Sequence, residues 1–212
     1  QIDNVPEEQK IRILCDAIRS EGINTLPWTD ELIEWKNRIL NAKIWRSDED
    51  WPDLSDVHLL NTLEEWLSPY LKTVRKRDDF KKLELHNILS GLLSWEQSRR
   101  LEKLAPARIE VPTGSLITLK YHTDGSAPIL AVRLQEVFGL LDTPTVNEGR
   151  TKVMLHLLSP GYRPVQVTQD LKSFWTTTYT EVRKDLRARY PKHYWPEDPW
   201  TAEAVRGVKK RK

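Results

Sequence analysis

The first half of the chain places apolar residues at the three- and four-residue spacing of amphipathic helices. After Pro6 one apolar face recurs as far as Gly22, which predicts a helix with proline in its first turn and glycine after its last. Thr29 and Ser55 are predicted to cap two further helices, and a fourth is predicted near residues 83–93. The inward positions of the four are Ile11, Leu14, Cys15 and Ile18; Leu32, Ile33, Trp35, Ile39 and Leu40; Leu59, Leu60, Leu63, Trp66 and Leu67; and Leu83, Leu85, Ile88, Leu89, Leu92 and Leu93. Short helices of this kind predict a bundle over residues 1–105.

The capping residues of a further helix are also visible. Ser94 and Gln97 stand three residues apart in the pattern of a capping box, in which each side chain satisfies a free backbone amide of the other.

Beyond Pro106 the period changes to the alternation of strands. Alternating apolar positions at 109–111 and 117–121 flank a turn at 112–115, and two more alternating segments cover 153–157 and 165–167. Between them, Pro128 is predicted to begin a helix that ends near Leu140. Short strands around one helix predict a small, partly open OB-like β-barrel over residues 106–170.

The last 42 residues, 171–212, predict a C-terminal helical extension with a basic tail. One helix is expected at 171–175. A second is expected to begin at Thr178 with another capping box, Thr178 to Glu181, and to end before Pro191. The segment 206–212 lacks apolar periodicity and is expected to be mobile. The predicted fold class is therefore α+β: an N-terminal helical bundle, an OB-like β-barrel and this extension.

Charge divides unevenly along the chain although the net charge is only +2. Residues 1–104 hold 16 Lys and Arg against 20 Asp and Glu, whereas residues 105–212 hold 17 against 11. Such asymmetry is a hint of nucleic-acid contact in the basic half.

Several classes of protein are excluded by what the sequence lacks. No apolar run approaches the roughly 20 residues that cross a bilayer, so no membrane partner is expected. The start lacks a secretory pattern, and since it is Gln1 rather than Met we interpret the chain as part of a longer protein. The single Cys15 excludes an internal disulfide and suits a reducing, cytoplasmic location.

Catalytic and cofactor motifs are likewise absent from the sequence. There is no G-x-x-x-x-G-K-[S/T] loop for nucleotide phosphates and no D-E-A-H run for magnesium, so this chain alone is not expected to hydrolyse ATP. The five histidines stand far apart, and the acidic run at 48–53 lacks the alternating ligands of a calcium loop. We expect no catalytic residue, no metal site and no cofactor in this chain.

A basic surface is the strongest candidate for function. Arginine side chains fork onto phosphate oxygens, and neutralised phosphates release counterions, so such a surface gives salt-sensitive binding without sequence preference. The candidates near the last helix are Arg183, Lys184, Arg187, Arg189 and Lys192. The alternative is that these charges solvate the helix or pair with Asp185 and Glu181.

Further candidates come from the predicted barrel. Arg150 ends a loop, and Arg163, Gln166 and Thr168 are predicted to point outward from a strand whose valines point inward, the face through which OB-folds bind nucleic acid. Any half-exposed strand shows the same pattern. Arg133 is expected to pair with a carboxylate. The Tyr194–Trp195–Pro196 segment either stacks bases or holds the C-terminal segment in place.

Ordered blocks along nearly the whole chain resemble the C-terminal region of the HrpB family, a DEAH-type branch of the bacterial ATP-dependent helicases. They include LEEWLSPYL at 63–71, IEVPTGS at 109–115, LAVRLQEVFG at 130–139, RPVQVT at 163–168 and RYPKH at 189–193, with shorter blocks at 26–28, 51–55, 95–97 and 156–160.

The resemblance implies an architecture and a role. Family members carry two RecA-like motor domains, a winged helix, a helical bundle, an OB-like domain and a C-terminal extension, of which this chain matches only the last three. ATP and Mg²⁺ would then belong to the full-length parent, an ATP hydrolase. By analogy, Arg150, Arg163, Gln166 and Thr168 become candidate contacts for single-stranded nucleic acid.

Two hypotheses result. In the first, the chain is the non-motor part of a helicase that holds single-stranded nucleic acid, RNA in preference to DNA, beside the motor domains. In the second, it is a scaffold that packs on the motor domains or on another protein without touching nucleic acid.

Overall fold

The structure is a computed structural model, and it describes residues 5–208. The part of the predicted basic tail beyond Val208 lies outside the described residues. The chain forms two compact units. The first extends to Leu101 and includes Thr123–Gly125, and the second consists of Glu102–His122 and the chain from Ser126 onward.

The first unit is helical, as predicted. Its α-helices, the last of which enters the second unit, are α1 (Glu7–Glu21), α2 (Asp30–Trp45), α3 (Asp56–Asn61), α4 (Leu63–Trp66), α5 (Leu85–Ser90) and α6 (Trp95–Leu104). Short 3-10 helices occupy Ile23–Thr25, Ser68–Thr73 and Arg77–Lys82. The predicted fourth helix is shorter than expected, because α5 ends before Gly91.

The helix caps of this unit agree with the sequence pattern. The amide of Leu32 donates to Thr29 Oγ1, and the amide of His58 donates to Ser55 Oγ. Ser94 and Gln97 form the reciprocal capping box at distances of 2.8 and 3.1 Å. The spacing of polar residues along the sequence is sufficient to predict these caps, because a cap involves only residues within one helical turn.

The second unit contains a mixed five-stranded sheet. In spatial order its strands are β1 (Arg108–Glu110), β2 (Leu116–Lys120), β3 (Ile129–Arg133), β6 (Met154–Leu158) and β7 (Pro164–Thr168). Two further strands, β4 (Thr145–Val146) and β5 (Thr151–Lys152), pair separately with each other. Among the strands within residues 5–208, only β3 and β6 pair in parallel. The α+β class is confirmed, but the OB-like barrel is not: over the described residues β1 and β7 are edges of an open sheet.

The predicted helix from Pro128 to Leu140 is wrong. Residues 129–133 form β3, the central strand, followed by a 3-10 helix at Leu134–Val137. Leu130, Leu134 and Val137 mimic helical spacing, yet within the strand the burial alternates, with Leu130 and Val132 buried and Ala131 exposed. Pairing with β2 and β6 satisfies the backbone on both sides, and this outweighs the local pattern.

The two predicted C-terminal helices form one continuous helical segment. It consists of α7 (Leu171–Ser173), a π-turn at Phe174–Thr178 and α8 (Tyr179–Arg189). Thr178 makes no cap bond and has helical backbone angles, so the capping box predicted at Thr178–Glu181 is wrong. The true cap is Asp170, whose carboxylate accepts from the amide of Ser173 at 2.9 Å.

Aromatic side chains pack around the π-turn. The ring of Phe138 lies 6.1 Å from those of Trp175 and Tyr179 and 6.2 Å from that of Tyr194. The buried hydroxyl of Tyr179 donates to the carbonyl of Pro196, and burial raises the pKa of that hydroxyl. These contacts attach the segment after α8 to the helix.

Across residues 5–208, we find no helix with the length and apolar character needed to cross a bilayer.

Two substitutions test whether the C-terminal helical segment is capped by Asp170, as in the structure, or by Thr178, as the sequence pattern predicts. We expect Asp170→Ala to lower the free energy of unfolding by about 1 kcal/mol, because an orphan helix amide loses its acceptor. Thr178→Ala should change it by less than about 0.5 kcal/mol, since that hydroxyl caps nothing. Urea unfolding followed by circular dichroism measures both. Equal losses would mean that a helix begins at Thr178.

Candidate nucleic-acid interface

Three of the predicted residues lie along the edge strand β7 or beside its ends. Arg163 precedes the strand, Gln166 lies in its middle, and Thr168 is its last residue. Arg150 precedes β6, whereas Arg163 follows that strand, so the two arginines lie beyond opposite ends of β6. Five residues of strand span about 17 Å. The structure therefore does not place Arg150 in one cluster with Arg163.

The two faces of β7 are the reverse of those predicted from the sequence, which placed Gln166 and Thr168 outward and the valines inward. Gln166 pairs with Leu157, and Thr168 pairs with Leu155. Directly opposite residues share a face, and both leucines are fully buried, so Gln166 and Thr168 face the covered side. Val167 is instead 51% exposed. Thr168 Oγ1 is also engaged, since it accepts from the amide of Asp170 at 2.9 Å.

The basic residues of α8 do not all share one face. Residues three or four positions apart are neighbours on a helix, which groups Arg183, Lys184 and Arg187. Arg189 lies about 200° around the helix from Arg187. It pairs with Asp185 at 3.1 Å, as the alternative prediction had it for this residue.

The candidates also differ in whether their side chains already have hydrogen-bond or ion-pair partners within the protein. Arg183 Nε donates to the carbonyl of Trp195 at 2.9 Å, and its Nη2 lies 3.4 Å from Glu197 Oε1. This guanidinium is therefore structural. The basic candidates whose side chains have no hydrogen-bond or ion-pair partner anywhere in residues 5–208 are Arg150, Arg163, Lys184, Arg187 and Lys192.

A tight turn, Ser159–Arg163, joins β6 to β7 and is held from two sides. The amide of Ser159 donates to the carbonyl of Arg163 at 2.8 Å, and the amide of Arg163 donates to Ser159 Oγ at 3.2 Å. Ser159 Oγ also shares a hydrogen bond with the hydroxyl of Tyr190, at 3.3 Å. A Cβ at Gly161 would lie only 3.0 Å from that hydroxyl, so glycine permits the approach. Because Tyr190 follows α8 directly, the turn lies beside the end of α8.

Sequence reasoning missed the most exposed aromatic residue of this region. Tyr162, in the Ser159–Arg163 turn, is 66% exposed, and the guanidinium of Arg133 lies 5.1 Å from its ring centre. The pairing predicted for Arg133 is confirmed, because its Nε donates to Glu136 Oε2 at 3.2 Å. No local pattern marks this contact, since Arg133 and Tyr162 are brought together only by the pairing of β3 with β6.

The carboxylate of Glu136 is buried and fully engaged. Its Oε1 accepts from Thr113 Oγ1 at 3.0 Å and from Ser115 Oγ at 2.8 Å, while its Oε2 accepts from Arg133. A buried charge is tolerated when it is paired and hydrogen-bonded in this way. Glu136 therefore fixes the position of the Arg133 guanidinium and leaves no free oxygen to repel an anion.

His193 lies near the same arginine. Its Nδ1 is 3.0 Å from Gln135 Oε1, which requires the proton on Nδ1. Burial lowers the pKa of His193, and the positive charge of Arg133 lowers it further.

The Tyr194–Trp195–Pro196 segment holds the C-terminal part of the chain in place, as one of the two predictions had it. Trp195 is 6% exposed and its Nε1 donates to the carbonyl of Tyr190 at 3.0 Å. A ring enclosed to this degree cannot stack on a base.

In the first unit, the acidic run at 48–53 is anchored by Trp51, whose Nε1 donates to Glu49 Oε2 at 3.1 Å. Arg100 Nη1 donates to the same carboxylate oxygen at 2.8 Å. Within residues 5–208 no three His, Cys, Asp or Glu side chains are grouped so as to hold a metal ion.

Comparison with known proteins agrees with this architecture. The profile of a family described as ATP-dependent helicase C-terminal, HrpB_C, matches residues 66–199. The chain is 42% identical over 204 residues to the ATP-dependent RNA helicase HrpB of Escherichia coli (strain K12), which covers 96% of this chain and 25% of that protein.

Solved structures give the same result. A crystal structure of the E. coli DExH-box NTPase HrpB has a TM-score of 0.84 and 42% identity, covering 92% of this chain and 24% of that one. A crystal structure of the E. coli DEAH/RHA helicase HrpB has a TM-score of 0.74 and 41% identity, covering 91% and 24%. The chain thus spans about a quarter of the length of these relatives.

Because Arg133 lies near His193, removing the charge of Arg133 is predicted to change the pKa of His193. Arg133→Gln removes the charge that disfavours the imidazolium, so the pKa of His193 should rise, while burial still holds it below its ordinary value. NMR titration of the ring protons, assigned with His193→Gln, measures this. Arg163→Gln removes an equal charge from the turn and should leave the pKa of His193 unchanged. An unaltered pKa in Arg133→Gln would contradict the electrostatic contact.

Proposed function

The chain belongs to the HrpB_C family of ATP-dependent helicase C-terminal regions, and on that premise we propose that it binds single-stranded nucleic acid beside the motor domains of a longer helicase. RNA is the preferred strand in this proposal, which is supported by the name of the E. coli relative, an RNA helicase. The motor domains bind and hydrolyse ATP with Mg²⁺. The present chain holds the strand while they step.

One observation carries the proposal: exposed basic residues without partners lie in the Ser159–Arg163 turn and on both sides, in sequence, of Tyr190, which contacts that turn. Arg163 belongs to the turn itself, and Lys192 follows Tyr190, whose hydroxyl reaches that turn. Arg187 lies in the last turn of α8, three residues before Tyr190. Unpaired exposed cations retain their full charge for an incoming phosphate.

The chemistry of such a surface suits a translocating enzyme. Contacts to phosphates position a strand without reading its bases. Each neutralised phosphate releases counterions, so affinity depends steeply on salt. A surface of this kind holds any sequence in turn as the strand advances.

A protein-binding role is favoured by one separate feature of the first unit. Trp95 is 70% exposed, with the guanidinium of Arg99 lying 4.6 Å from its ring centre. Exposed tryptophan is enriched at protein interfaces. In this second candidate function, the chain packs against the motor domains or another protein through α6 and does not contact nucleic acid.

Titration of the purified chain with single-stranded RNA tests the first proposal. We expect binding at low salt with a slope of log affinity against log salt of about −0.7 for each phosphate neutralised. Arg187→Ala should weaken binding several-fold and reduce the slope by about 0.7, since one cation is lost. Fluorescence anisotropy at several salt concentrations measures both quantities.

Arg189→Ala is the matched control, because Arg189 is on the same helix but already paired with Asp185. Neither the affinity nor the slope should change in this variant. Absence of RNA binding at low salt would reject nucleic-acid binding and favour the scaffold. Equal effects of the two variants would reject α8 as the binding surface.

A further inference from the structure

Tyr162 has a backbone conformation that a bulky residue adopts only at a cost. Its φ is +61°, in the left-handed region that glycine and asparagine occupy far more readily. The neighbouring Gly161 does not take that conformation, so the strain falls on the tyrosine. Strained residues of this kind are concentrated at binding sites, where the surrounding structure imposes the strain. An aromatic ring at this position therefore suggests a use for the ring itself.

The ring is supported on one face and open on the other. The guanidinium of Arg133 lies 5.1 Å from the ring centre, and Glu136 holds that guanidinium in turn. With one face covered, an exposed fraction of 66% leaves the opposite face to solvent. The ring is thus an open aromatic surface backed by a positive charge.

The immediate surroundings of the ring are basic. Arg163 follows it in sequence, with an exposed side chain that has no partner within residues 5–208. Glu136, the carboxylate that holds Arg133, is 5% exposed, and both its oxygens are occupied. An aromatic surface beside free cations is the combination that binds the base and the phosphate of one nucleotide.

We propose that Tyr162 is a stacking platform for one base of the bound single strand, with Arg163 on the adjacent phosphate. This rests on the proposed function, because it names the contact that the nucleic acid makes. Arg133 is a positioning residue, which fixes the ring from beneath. The platform accepts any base, since every base has a π-face.

The test compares two ligands of about 12 nucleotides: an RNA oligonucleotide and an abasic ribose–phosphate strand of equal length. Tyr162→Asn removes the ring and keeps a residue that tolerates positive φ. It should weaken RNA binding about tenfold, within the roughly 5- to 150-fold range of base stacking, and leave binding of the abasic strand unchanged. Tyr162→Phe should bind both ligands as the unmodified chain does.

The salt dependence of the affinity distinguishes the contribution of the Tyr162 ring from that of the Arg163 charge. Tyr162→Asn should leave the slope unaltered, because stacking neutralises no phosphate. Arg163→Gln should reduce the slope by about 0.7 for both ligands. Trp95→Ala is the matched control: that ring also lies against an arginine, Arg99, but it belongs to the first unit and the acidic Glu96 follows it in sequence. It should change neither ligand's affinity.

Thermal unfolding of each variant confirms that the second unit is folded, with Tyr162→Phe as the reference. If the unmodified chain binds RNA but Tyr162→Asn binds it equally well, the platform is rejected and the phosphate-binding function stands. If Tyr162→Asn weakens the abasic strand as much as RNA, the ring does not stack and the platform is again rejected. If the unmodified chain binds no RNA at low salt, both proposals fail.

Discussion

The parallel pairing of β3 with β6 is the constraint on which the candidate interface depends. Its register sets Arg133 opposite Leu158. Two parallel strands have their C-terminal ends on the same side of the sheet. The last residue of β3 is therefore delivered to the turn that comes after β6, where its guanidinium meets the ring of Tyr162. Glu136 then fixes that guanidinium in place. A shift of one residue in this pairing would send the side chain of Arg133 to the other face of the sheet.

Ion pairing, more than position along the chain, decides which basic residues are available to a ligand. Arg183 and Arg189 are both on α8, yet the first holds the segment around Trp195 and the second holds Asp185. Arg187 lies between them on a face without a carboxylate partner. A guanidinium already bound to an acid has to break that pair before it can bind phosphate, so its net contribution to binding is small. The free cations therefore define a smaller surface than the basic composition of the second half suggests.

The candidate site was only partly predictable. The basic character near the end of the chain, the pairing of Arg133 and the structural role of the Tyr194–Pro196 segment could be predicted, because charge and aromatic content are visible in the sequence. Tyr162 could not, since nothing in its neighbours indicates that Arg133, 29 residues earlier, lies beneath its ring. The faces of β7 were assigned in reverse, because the Val-Gln-Val-Thr alternation defines two faces but the core is defined by Leu155 and Leu157 on another strand.

The sequence by itself determined the features that depend on residues within one or two turns of each other. The caps at Thr29, Ser55 and Ser94, the helical first unit and the change to strands beyond Pro106 are of this kind. Only the tertiary structure decided that residues 129–133 form a strand, that the helix continues through Thr178, and that the sheet stays open. Each of these depends on hydrogen bonds or packing with partners distant in the chain. Their free energy exceeds the weak local preference that the sequence pattern reports.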